Sequence, residues 1–171
     1  MINIDSRQIT LVALFLALCI IIPIMFHMFA AGAIFLPMFL PILVAALILR
    51  PPYGVTVGMF GPFISSFATG MPALFPMAIF MSVEGTVMAL TASYLYRSRM
   101  FSVFFSILIA LLIDRVFLFF LIFFITPLLG LPSTTFSLMS IAYSLPGVIL
   151  QLILVPIIVS ALEDSNIVKP K

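Results

Sequence analysis

The side chains that can do chemistry in this chain are few, and most lie inside apolar runs. Glu84, Asp114 and Arg115 are the charged ones. At 1.5 Å of rise per helical residue, all three fall near the middle of their runs. A charge at the centre of a bilayer costs at least about 2.5–3.5 kcal/mol on insertion scales, so such groups pair or face water. Asp114 and Arg115 are neighbours in sequence and leave a helix about 100° apart. The simplest expectation therefore pairs Glu84 with Arg115 across two consecutive antiparallel runs. That pair either only fixes the register of two helices or lines a binding cavity, and both readings stay open at this point.

The neutral polar groups are as sparse. His27, the single histidine, ends the first apolar run, where it can bind a ligand or sit half solvated at the interface. Tyr143 and Gln151 lie on the last run, Gln151 near its middle and Tyr143 nearer its outer end. For each, a helix–helix hydrogen bond and a ligand contact are both open. Phe35 and Met71 fall where they can cover a flat ligand at an outer mouth. Cys19, the single cysteine, has no partner for an internal disulfide and reads as a small buried apolar residue. No metal site, phosphate loop, paired catalytic acids or nucleophile–base spacing is visible. No cofactor and no enzymatic activity are expected.

These residues need elements to hold them, and composition says which. The chain is 65% hydrophobic and 7% charged, with a mean hydropathy of +1.43. Soluble domains carry about 25% charged residues, so this is an all-α integral membrane protein. We read residues 1–171 as a single domain of six transmembrane spans, about 9–28, 35–49, 55–69, 73–96, 101–129 and 136–162. Asp5 and Arg7 precede the first run and no small-residue cleavage site follows it, which argues against a signal peptide. Six of the seven Lys and Arg residues, namely Arg7, Arg50, Arg97, Arg99, Lys169 and Lys171, fall on one side of this layout. The positive-inside rule puts them and both termini in the cytoplasm. The net charge of +2 reflects this topology, and no nucleic acid is expected as a partner.

The second and third spans are short for a hydrocarbon core of roughly 30 Å. Pro37 and Pro41 interrupt the first of them, and Gly58, Gly61 and Pro62 the second. Backbone groups freed by such breaks must face protein or a wet cavity. Short, interrupted spans are a sequence pointer to a transport site. The turn Arg50-Pro51-Pro52-Tyr53-Gly54 separates the two spans. In the first span, Ala13-Leu14-Phe15-Leu16-Ala17 puts small residues four apart on one face, where another helix can approach closely.

The chain resembles the substrate-binding S component of an energy-coupling factor (ECF) vitamin transporter. The resemblance is carried by Ala13 with Ala17, Phe35-Leu36-Pro37-Met38, Arg50-Pro51-Pro52-Tyr53-Gly54 and Thr69-Gly70-Met71-Pro72. Glu84 and Tyr94-Leu95-Tyr96-Arg97 extend it. It implies an S-component-like bundle in the plasma membrane of a prokaryote, binding a micronutrient from outside. It also implies a membrane coupling subunit driven by two cytoplasmic ATPases, with Ala13 and Ala17 as the docking pair. Pocket residues vary with substrate in the family. The expected binding set therefore comes from the physical argument: His27, Phe35, Met71, Glu84, Arg115, Tyr143 and Gln151. The absence of Trp and the few polar groups in the outer loops favour a flat, partly apolar molecule with one or two polar handles. Within the family that suggests a nucleoside-like cofactor precursor such as α-ribazole, a pyrimidine, a queuosine precursor or pantothenate.

The main alternative is a small secondary carrier or channel acting as a homodimer, with Glu84 and Asp114 as an ion relay. A membrane enzyme would need a partner for His27. A purely structural protein would leave three charges in the membrane without a purpose.

Overall fold

The computed structural model describes residues 5–29, 32–98, 101–130 and 142–165. Arg99, Lys169, Lys171, the turn at 131–134 and the expected start of the sixth span at 136–141 lie outside the described residues. Most of the described residues are helical, and there is no strand among them. The helices are α1 (Ser6–Met28), α2 (Gly32–Phe35), α3 (Phe39–Ile48), α4 (Pro51–Thr69), α5 (Ile79–Ser98), α6 (Val103–Phe120), α7 (Thr126–Leu128) and α8 (Leu145–Asp164). A π-helical turn, Leu74–Ala78, leads into α5, and another, Leu121–Ile125, joins α6 to α7. Four helical stretches are long and apolar enough to cross a membrane: Ser6–Met28, Leu74–Ser98, Val103–Leu128 and Leu145–Asp164. With the α2–α3 pair and α4 they make an all-helical membrane bundle of six.

The bundle is built around α3. Ten residues at 1.5 Å each span about 15 Å, half the hydrocarbon core. Phe39 and every residue from Pro41 to Ile48 are buried, packed among α1, α4, α5 and α8. This helix is apolar all round because its environment is protein on all sides. The other half of the second span is α2 and the break at 36–38. Pro37 and Pro41 cannot donate backbone hydrogen bonds, and Leu36 takes a left-handed φ of 47°. For a branched side chain that conformation costs roughly 1–2 kcal/mol.

The Arg50–Gly54 segment differs from expectation. It is not a free turn but the first turn of α4, with Arg50 at the N-cap and Pro51 and Pro52 just inside. Proline suits that position because its missing N–H would be unpaired there anyway. Further along, α4 crosses α5 at Gly58 and Gly85. A Cβ on Gly85 would lie 2.8 Å from the Gly58 carbonyl oxygen, and one on Gly58 would run into the Gly85 carbonyl. Only glycine permits that approach, and it sets α5, the helix of Glu84, against the bundle.

Five helix ends meet at one end of the bundle. The Arg50 N–H donates to Gln8 Oε1 at 3.0 Å. The Arg97 guanidinium donates to the carbonyls of Leu47 and Ile48 at 3.3 and 2.8 Å, closing the C-terminus of α3. Tyr96 donates to Glu163 Oε1 at 2.6 Å. Arg7, Arg50 and Arg97 therefore share an end, as the charge pattern requires of them.

Candidate functional site

At the end opposite these arginines, the break in the second span borders a cavity of about 290 Å³. Pro23 and His27 of α1, Leu36, Pro37 and Met38 at the break, Met71 and Pro72 of the α4–α5 connection, and Met77 and Met81 line it. His27 and Met71 also line an adjoining cavity of about 340 Å³ with Ser65 and Thr69, so the two side chains stand between the cavities. The Met71 segment is held firmly. Gly70 adopts a left-handed φ of 74° and its N–H donates to the Ser66 carbonyl at 2.8 Å, a glycine helix stop. The Ser65 hydroxyl then donates to the Met71 carbonyl at 2.9 Å. The Thr69 hydroxyl accepts from the Met71 N–H at 3.1 Å. Methionine thioethers are soft and adaptable, so Met38, Met71, Met77 and Met81 can close on a flat apolar body.

Gln151 supports the break from across the bundle. It is 1% exposed, and its Nε2 donates to the Leu36 carbonyl at 3.2 Å. The non-helical backbone at membrane depth is thus satisfied by protein, as its position demands. Phe35, at the end of α2, packs its ring 5.7 Å from Phe26. Its carbonyl lies against Gly147, where a Cβ would come within 2.6 Å of that oxygen. Glycine at 147 thereby lets α8 approach α2 and delivers Gln151 to Leu36, four residues further along the same helix face.

A second group of residues sits between α5 and α6. Asp114 is 0% exposed and its Oδ2 accepts from Arg115 Nη2 at 2.8 Å. Arg115 Nη1 donates to Ser144 Oγ at 2.7 Å, tying α6 to the start of α8. This corrects the expected Glu84–Arg115 pair. The four-atom arginine stem curls round its own helix to reach the neighbouring carboxylate. Glu84, 5% exposed, lies within Coulombic reach of both, yet its Oε1 has no hydrogen-bond partner. Asp114 Oδ1 and Gln151 Oε1 are also buried and unpartnered.

The candidate residues thus fall into two adjoining groups. His27 and Met71 share cavity walls, with Phe35 and Gln151 behind the break. Glu84 and Arg115 stand deeper, with Asp114. Tyr143 stands apart, 60% exposed on the residue before Ser144. Ser144 and the Leu36 carbonyl were not among the expected site groups. Ser144 precedes Leu145-Pro146 at the start of α8, a helix-start pattern that marks a helix end but not its arginine partner. Ala13 is exposed and Ala17 half-buried. They point about 160° away from the buried Phe15 of α1, at 100° per residue.

A bundle of six helices, its second span broken and a cavity beside the break, is that of a multi-pass membrane protein. The family model described as ECF transporter, substrate-specific component, matches residues 7–159, and the chain belongs to that family. No curated protein and no solved structure matches the chain.

Proposed function

We propose that this chain is the substrate-capture subunit of an ECF-type importer in a prokaryotic plasma membrane. It takes a micronutrient precursor from the outer side and delivers it inward with a membrane coupling subunit and two cytoplasmic ATPases. The family match over residues 7–159 carries this reading. The cavity supports it, since it lies at the end away from Arg7, Arg50 and Arg97, where the positive-inside rule puts the outside. His27, Phe35, Met71, Glu84, Arg115, Tyr143 and Gln151 remain the proposed binding set, with Tyr143 at its edge. Ala13 and Ala17 are the proposed docking pair, supported by a small-residue face turned away from the rest of the bundle. Catalysis of ATP hydrolysis belongs to the partners.

The test is purification from native membranes under mild detergent. A coupling subunit and an ATPase pair should accompany the chain, and an impermeant thiol reagent should label Met71→Cys from outside only. Purification without those subunits, with labelling from the cytoplasmic side alone, would remove the reading.

A further inference from the structure

The polar groups beneath the methionine cavity are unbalanced in one direction. Three buried carboxyl or amide oxygens lack partners, Glu84 Oε1, Asp114 Oδ1 and Gln151 Oε1, against two unpartnered groups near them in sequence that can donate, Ser82 Oγ and Arg115 Nε. All three belong to side chains at least nine-tenths buried, and an ionised carboxylate or an amide oxygen only accepts. Against them stand two carboxylates but one guanidinium, and that guanidinium is committed to Asp114 Oδ2 and Ser144 Oγ. Of Arg115, the Nε is left over. Buried acceptors without donors are rare in native proteins, because each forfeits its hydration. Two of the three side chains are tied to residues of the cavity wall. Gln151 bonds the carbonyl of Leu36, which lines it. Glu84 follows the cavity-lining Met81 by three residues, on the same side of α5.

Building on the transporter reading above, we infer that the substrate carries a hydrogen-bond-donating nitrogen group, an amine, amidine or ring amino group, and not a carboxylate. That group sits at Glu84, Asp114 and Gln151, while the flat apolar body lies among Met38, Met77 and Met81. A donor group supplies the missing hydrogens and, when cationic, the missing charge. A carboxylate would meet the same three oxygens with repulsion. Among flat micronutrient precursors, amino-substituted rings fit this site and carboxylate-bearing ones do not.

Benzamidine and benzoate test this as an isosteric pair, one presenting donors and the other acceptors. The full-length chain in detergent is heated with each, and the unfolding midpoint is followed by intrinsic tyrosine fluorescence. Benzamidine should raise the midpoint increasingly with concentration, as a native-state ligand does, and benzoate should not. Glu84→Gln should weaken the benzamidine response about tenfold, the worth of one charge-assisted hydrogen bond. No shift with benzamidine, an equal or larger shift with benzoate, or an undiminished shift in Glu84→Gln overturns the inference. The wild-type comparison alone decides it if the variant does not fold. Copurification of the coupling subunit together with a preference for benzoate would leave the transporter reading standing and this inference fallen. Glu84-dependent benzamidine binding by a chain that recruits no coupling subunit would do the reverse.

Discussion

At the basic end of the bundle, buried acceptors are met by donors. Tyr96 donates to Glu163, and Arg97 donates to the two carbonyls that end α3, with its Nε to spare. In the middle the surplus is reversed: Glu84, Asp114 and Gln151 each keep an acceptor oxygen that nothing meets. Both regions lie on the same long helices and obey the same physics. The acceptors of the first are met by the chain itself. The second, under the inference above, is completed by a donor group on the substrate. A satisfied polar network stabilises, whereas an unsatisfied one lowers stability and marks a place where a ligand can restore it.

Substitutions can break or sharpen this contrast. The largest effect is expected from Arg115→Gln, which strips the buried Asp114 of its one ion-pair partner among the described residues. Leaving such a charge unpaired typically costs about 3–5 kcal/mol, measured as a loss of unfolding free energy in detergent. A negligible loss would mean the middle cluster is as hydrated as a surface. Arg97→Gln comes next. Removing a charged donor from the two carbonyls at the end of α3 should cost about 1.5–3 kcal/mol, read in the same assay. Tyr96→Phe should cost about 1 kcal/mol, since it deletes one hydrogen bond to a half-buried carboxylate. Glu84→Gln should leave stability near wild type, because it keeps the shape and removes an unpaired charge. A large loss there would show that Glu84 has a partner in the membrane. Ala13→Trp should change stability by no more than about 0.5 kcal/mol, as expected of an outward-facing site. It should still prevent capture of the coupling subunit in pull-downs.

Some of this was legible in the sequence, and the rest depended on geometry that spacing does not encode. The break in the second span followed from Pro37 and Pro41, since proline removes donors wherever it falls. That Ala13 and Ala17 share one face followed from helical period alone. The Asp114–Arg115 pair did not. Sequence spacing gives the direction in which a side chain leaves the helix, and a long arginine bends back across that direction. The role of Gln151 was legible only as a need for a partner. Its partner is a backbone carbonyl, which no residue type announces. Prolines 51 and 52 carried two meanings, a turn and a helix start, and Arg50 in an extended N-cap conformation selected the second.

The Gln151–Leu36 hydrogen bond joins residues 115 positions apart, and that separation bears on how the protein is made. A ribosome releases Leu36 into the membrane long before it has synthesised Gln151. In the interval the broken second span has a carbonyl with no donor and a left-handed residue with no support. The nascent second span should therefore stay near the translocon, or near the headgroups, until the last helix arrives. A chain truncated before α8 should accordingly leave Leu36 within reach of water-soluble reagents after insertion, while the full-length chain shields it.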